Sequence, residues 1–217
     1  MVKVFCDGSI EVKNVDGYTF NPTLMKGTKN YSVFGRYAAK EVFPKPISFE
    51  VIADDLGEMN EQAIDIASWG ENVYVKIPVM DTQGTPTTLL IYNLSRLGIK
   101  VNVTAVFTSS QIHIVARSLW PKTPSIISIF AGRIADTGKD PVPLFYEAMR
   151  VKHANTETLW ASTREVYNYY QAQQCGADII TMSPDLIKKL SLKDKDLTEY
   201  SRETVKQFYE DGKGLSL

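Results

Sequence analysis

The sequence predicts a single (β/α)8 barrel, on three observations. Eight short β-rich runs alternate with helical patterns of roughly 10–15 residues, the order that builds βαβ units and a parallel sheet. Within most of those runs, aliphatic side chains hold one parity and polar ones the other. The 217 residues divide into eight units of about 27 residues each, which fits the short end of a closed barrel and leaves no room for an inserted domain. A composition of 44% hydrophobic and 23% charged residues is that of an ordinary globular chain with one sizeable core.

Taken in order, residues 2–6 read as the first strand. After Asp7, the residues Gly8, Asn14, Asp16 and Gly17 favour turns, so only a weak second strand at 18–19 fits. The first helix is therefore expected to be vestigial or replaced by a loop. A helix over 31–42 then leads to a strand at 47–52, and a helix over 60–69 to a strand at 72–79. The alternation continues with helix 85–97, strand 100–107, helix 109–118 and strand 126–130. Helix 141–153, strand 158–162, helix 163–173, strand 178–182 and helix 184–190 complete it. A further amphipathic helix is expected over 196–211, with Leu197, Tyr200, Val205 and Phe208 on roughly one side, where it either closes its own barrel or clasps a neighbour.

Strand parity sorts the faces. Over 72–79, Val73, Val75, Ile77 and Val79 oppose Asn72, Tyr74, Lys76 and Pro78. The aliphatic set packs under the helices, which aims Lys76 into the barrel. The same parity sends Asp7, Glu50, Thr104 and Ser162 inward, most of them at the C-terminal strand ends where barrel active sites are built. Tyr74 and Trp160 are assigned inward as packing residues, with Leu159 and Ala161 on the outer face. Each polar residue alone has a plainer reading: a snorkelling lysine, or a strand-end carboxylate that caps a helix. Their convergence carries the weight, because burying several charges together is costly unless they serve one another.

Composition narrows the chemistry. The two histidines, His113 and His153, and the two cysteines, Cys6 and Cys175, fit no metal-ligand spacing. No metal site and no cofactor are expected. The histidines read as helix-surface residues, and the cysteines as reduced packing residues. Lys plus Arg is 24 against 25 Asp plus Glu, without a basic run, so no nucleic-acid partner is expected. No run approaches the ~18 apolar residues of a membrane span, and Met-Val-Lys-Val-Phe-Cys-Asp reads as a strand rather than a secretory leader. A cytoplasmic protein with no membrane partner is the expectation.

Catalysis then rests on lysine and carboxylates. A closed, partly apolar site strips hydration from an ammonium and favours the free amine, which attacks a carbonyl to form a Schiff base. The Schiff base is an electron sink that permits cleavage of a neighbouring C–C bond, with Asp7 and Glu50 available to move protons. A lysine-dependent (class I) aldol reaction follows. Phe130-Ala131-Gly132-Arg133 and Ser162-Thr163-Arg164 follow strands six and seven. Two guanidiniums, a hydroxyl and nearby helix-start N–H groups make a phosphate site; two surface arginines in loops are the equal alternative at this point.

The segments G-Y-T-F-N-P-T-L at 17–24, S-F-E-V at 48–51, V-K-I-P-V at 75–79 and N-V-T-A-V-F at 102–107 resemble the transaldolase family. So do S-I-F-A-G-R-I at 128–134, A-S-T-R at 161–164 and G-A-D-I-I-T at 176–181. The resemblance, from Asp7 to at least Leu190, is to the compact subfamily that also holds the fructose-6-phosphate aldolases. It implies that Lys76 is the Schiff-base lysine. Glu50 and Thr104 hold a catalytic water, and Asp7 takes the C4 hydroxyl proton as the C3–C4 bond breaks. Asn21, Asn102 and Ser128 bond the dihydroxyacetone portion, and Arg133, Ser162 and Arg164 bind the phosphate of sugar phosphate substrates. Glu50 and Phe130 match the transaldolase pattern, where the aldolases carry Gln and Tyr. The implied activity moves a dihydroxyacetone unit from sedoheptulose 7-phosphate to glyceraldehyde 3-phosphate, giving erythrose 4-phosphate and fructose 6-phosphate in the pentose phosphate pathway. The alternative is a fructose-6-phosphate aldolase that releases free dihydroxyacetone. The resemblance also implies a homo-oligomer, a decamer of two pentamers. The sequence departs from it at Phe20, which stands where a small hydroxyl residue is usual and is assigned outward by parity, and in the short first unit. These two departures are the support for a third reading, a catalytically silent barrel acting as an assembly module.

Overall fold

Eight parallel strands close into a barrel in sequence order; the computed structural model describes residues 1–28 and 30–215. The strands are β1 (Lys3–Asp7), β2 (Gly17–Thr19), β3 (Ile47–Glu50), β4 (Val73–Pro78), β5 (Val101–Val106), β6 (Ser125–Ile129), β7 (Thr156–Trp160) and β8 (Ile179–Met182), with β8 pairing back onto β1. Around them lie α1 (Tyr31–Val42), α2 (Leu56–Ala67), α3 (Thr88–Arg96), α4 (Ser109–Ser118), α5 (Ala131–Asp136), α6 (Val142–Val151), α7 (Tyr167–Gln174), α8 (Pro184–Lys189) and α9 (Leu197–Asp211). The (β/α)8 expectation holds, and residues 8–16 form a loop where a first helix would stand.

Side-chain caps set several helix starts. Asn30, Asp55, Ser183 and Asp196 each accept a first-turn N–H, and Thr108 forms a capping box with Gln111. Two short elements were not expected from the sequence: α5, and a 3-10 turn at Leu190–Leu192. Six or three residues are too few to display a helical period. α7 starts at Tyr167 rather than at 163, because the Asn168 carboxamide oxygen takes the N–H groups of Arg164 and Glu165 and holds that segment as a loop. His153 lies just past the end of α6 rather than on a helix. Cys6 and Cys175 are buried free thiols.

The barrel wall separates two apolar layers. Val73, Val75 and Ile77 join the outer layer under the helices, as parity requires. Phe5, Ile126, Leu159, Ala161 and Ile179 fill the interior, with Tyr74 and Phe130 against them. β7 therefore has the opposite phase to the expected one. Leu159 and Ala161 face the interior, and Trp160 faces outward, stacked on Phe145 at 5.0 Å. Lateral register decides this: Trp160 lies beside outward Ile129, and Leu159 beside inward Ser128. The run Leu-Trp-Ala has no polar member to reveal its phase. In β5, Ala105 adopts φ 57° at a bulge where the register shifts, so Thr104 stays inward while Val106 returns to the outer layer.

On α9, Leu197, Tyr200, Val205 and Phe208 are exposed. Among the described residues, no helix is long and apolar enough to cross a membrane.

Candidate active site

The C-terminal strand ends surround a cavity of about 190 Å³. It is lined by nearly every residue singled out from the sequence: Asp7, Asn21, Lys76, Thr104, Ser128, Phe130, Arg133, Ser162 and Arg164. Two of the set do not line it. Glu50 reaches Lys76 from the side, and Asn102 lies fully buried beneath the floor.

Register explains the centre. Glu50, Lys76 and Asn102 are lateral neighbours on β3, β4 and β5, so their side chains leave the wall in the same direction. Lys76 Nζ lies 3.0 Å from Glu50 Oε2 and donates to the Phe20 carbonyl at 3.1 Å. Lys76 is only 6% exposed, so this pair holds an amine that would otherwise lose its hydration without return. Below it, the Asn102 amide donates to Ser48 Oγ at 3.1 Å and its oxygen accepts from Ser128 at 2.7 Å, a polar chain across the barrel floor. Thr104 Oγ1 is buried and has no hydrogen-bond partner among the described residues.

Asp7 ends β1 on the other side of the cavity. Burial pushes its carboxyl above the usual range, and the nearby Glu50 charge adds to this; a hydrogen bond from Thr19 and the charge of Lys76 oppose it. Thr19 Oγ1 donates to Asp7 Oδ1 at 2.7 Å and lies 2.6 Å from Thr181 Oγ1. Since the one Thr19 proton points at Asp7, Thr181 is the donor in the second bond. A chain Thr181–Thr19–Asp7 thus orients one carboxylate oxygen. Sequence reasoning missed Thr181 and gave Thr19 no role. The available signal was a lone hydroxyl on the inner parity of each strand.

The arginines converge from two loops. Gly132 makes this possible: a Cβ there would sit 1.6 Å from the Ser162 carbonyl oxygen. Ser162 itself adopts φ 63°, which turns its side chain to the cavity after β7 has ended. Arg164 pairs with Asp136 at the end of α5, and Arg133 lies with its guanidinium carbon 5.7 Å from the Phe130 ring centre. The helix-start N–H groups expected to assist are largely committed. Gly132 donates to the Ala161 carbonyl, and Arg164 and Glu165 donate to Asn168.

A buried lysine facing a carboxylate, with a second carboxylate opposite and two arginines at the rim, is an arrangement for amine chemistry on an anionic carbonyl compound. A sequence model described as transaldolase/fructose-6-phosphate aldolase matches residues 6–216. The chain belongs to the transaldolase/fructose-6-phosphate aldolase family. A probable transaldolase of Methanococcus maripaludis strain C7 is 37% identical over 181 residues, covering 81% of this chain and 80% of that protein. One from Thermoplasma volcanium is 33% identical over 214 residues, covering 95% and 90%. Among solved structures, 3-hexulose-6-phosphate synthase from Salmonella typhimurium superposes with a TM-score of 0.58 at 10% identity, covering 84% of this chain and 89% of that one, a likeness of fold alone.

Phe20, the departure from the family pattern, keeps its ring away from the cavity, as parity requires. Its ring stacks on Phe49 at 5.6 Å in the outer layer. Its backbone carbonyl accepts from Lys76.

Proposed function

We propose that this protein is a transaldolase that carries a dihydroxyacetone unit on Lys76 between sugar phosphates. The observation that carries the reading is Lys76, buried and held against Glu50 in a cavity whose far side holds Asp7 and whose rim holds Arg133 and Arg164. The ketose phosphate binds with its phosphate at Arg133, Arg164 and Ser162. Its C2 carbonyl condenses with the Lys76 amine, losing water to form the Schiff base. Asp7 takes the C4 hydroxyl proton; the C3–C4 electron pair flows into the iminium as the aldose phosphate leaves. The three-carbon unit stays on Lys76 until an acceptor aldehyde arrives and the steps reverse. Thr104, with an unspent hydroxyl, and Glu50 fit the water needed to close and open the Schiff base. A cavity of about 190 Å³ is smaller than the roughly 300–1,000 Å³ of pockets for drug-sized ligands, which suits a short sugar chain.

Phe130 favours transfer over release. It lines the cavity and packs on Phe107 at 5.5 Å, presenting no hydroxyl to help water discharge the bound unit. The test is acceptor dependence. Fructose 6-phosphate turnover is expected to require an added aldose phosphate; abundant free dihydroxyacetone without one would sink the transferase reading in favour of the aldolase.

The hydrogen bond from Thr19 to Asp7 gives a pH prediction. Asp7 must be ionised to accept the C4 proton, and its carboxyl is already raised by burial. In Thr19→Val the bond that favours the carboxylate is gone, so the carboxyl rises further and the base form is lost at higher pH. The acid limb of kcat/KM is expected to move to higher pH. An unmoved or lowered limb in a pH–rate profile would exclude this role for Asp7 and Thr19.

A further inference from the structure

Lys76 is held by two groups, the Glu50 carboxylate and the Phe20 carbonyl, and Tyr31 of α1 bonds the backbone of the strand end that carries Glu50. The β2–β3 ladder runs Tyr18 N–H to the Pro46 carbonyl, then Phe20 N–H to the Ser48 carbonyl. Parallel pairing alternates evenly, so its next rung is the Glu50 N–H on the Phe20 carbonyl. That rung is replaced. The Glu50 N–H donates instead to Tyr31 Oη at 2.9 Å, and the same hydroxyl donates to the Glu50 carbonyl at 2.9 Å. The Phe20 carbonyl, released from the ladder, accepts from Lys76.

We infer that Tyr31 is a positioning residue for Lys76: its phenol takes over the missing rung, which frees the Phe20 carbonyl for the amine and fixes the strand end that carries Glu50. This rests on the Schiff-base reading above only for its kinetic consequences. The phenol is well placed to act as a fixed clamp. Its ring meets Trp69 edge-on at 5.4 Å and Phe49 at 6.1 Å. Trp69 in turn fills the space left by Gly35, where a Cβ would come within 2.1 Å of its ring. Phe20 and Phe34 extend the same cluster against Phe49. One aromatic cluster therefore backs both partners of the lysine, and Phe20, the departure from the family pattern, belongs to it. Burial pushes the Tyr31 phenol well above its usual range, so it remains a donor at every working pH.

Tyr31→Phe keeps the ring and removes the clamp. Tyr18→Phe is the control: its hydroxyl also makes a 2.9 Å bond to a backbone carbonyl, that of Val12, away from the lysine. In a crystal structure of Tyr31→Phe, the Glu50 N–H is expected on the Phe20 carbonyl and Lys76 Nζ out of hydrogen-bond reach of that oxygen. In the transfer assay, kcat is expected to fall about tenfold with KM within about twofold, whereas Tyr18→Phe keeps both. A Tyr31→Phe crystal structure with both Lys76 contacts retained overturns the inference. So does a Tyr31→Phe kcat equal to that of the control. A wild-type protein that neither transfers nor releases the unit counts against the proposed function, and the crystal structures then decide the clamp by themselves.

Discussion

Lys76→Ala is expected to abolish transfer, lowering kcat by at least about a thousandfold. Borohydride added with fructose 6-phosphate is expected to fix a three-carbon unit on Lys76 in the wild type and on no residue in the variant. The size of the effect follows from the role. No other amine lines the cavity among the described residues, so the covalent path has no substitute there. Removing the lysine also leaves Glu50 without its ion-pair partner, and loss of one partner of a buried pair can destabilise a fold. Lys76→Arg separates the two effects. It keeps a cation opposite Glu50 but offers no free amine, since a guanidinium does not deprotonate in proteins. Both variants are expected to lose activity, with Lys76→Arg melting nearer to wild type. An active Lys76→Arg or Lys76→Ala protein would end the Schiff-base mechanism.

Lys76 was legible because its strand carries a clean period of two. Val73, Val75 and Ile77 each contribute to the outer layer, and Lys76 is the one charged residue of the opposite parity. Asp7 and Thr104 were legible for the same reason, whereas Ser128, which also lines the cavity, was named through the family resemblance. β7 was not, because Leu159, Trp160 and Ala161 are all apolar, and an apolar run has no phase until its neighbours fix the register. Ser162 reached the cavity as expected, though by a left-handed backbone turn rather than by parity. Short elements and tertiary hydrogen bonds were the other losses. α5 spans less than two turns. The Tyr31 clamp joins residues 19 apart through a hydroxyl that no periodicity marks. Glu50 was placed on the correct face by parity and Asn102 was named through the resemblance, yet their distance from the cavity depends on strand tilt and neighbouring side chains, which a one-dimensional pattern does not encode.

The convergence of the phosphate-binding loops hangs on one missing side chain, and Gly132→Ala tests it. The new Cβ would have to share space with the Ser162 carbonyl oxygen, 1.6 Å away, and that atom is backbone. No rotamer relieves the clash. The loop after β6 and the loop after β7 must separate, breaking the bond from Gly132 N–H to the Ala161 carbonyl as they do. Overpacking of this kind costs about 1–3 kcal/mol, or more where the backbone moves, which for a chain of this size lowers Tm by roughly 3–10 °C. The functional effect is more specific. Arg133 and Arg164 sit on opposite sides of the contact, so their spacing opens, and KM for a sugar phosphate is expected to rise at least about tenfold while turnover of an unphosphorylated ketose changes little. Gly138 is the internal comparison. It lies a few residues further on, has φ 79°, and an added Cβ meets nothing within 4 Å. Gly138→Ala is expected to show only the backbone strain of a left-handed alanine, about 1 kcal/mol, with KM unchanged. If the two alanine variants match in both melting temperature and KM, the close approach at Gly132 does not set the phosphate site.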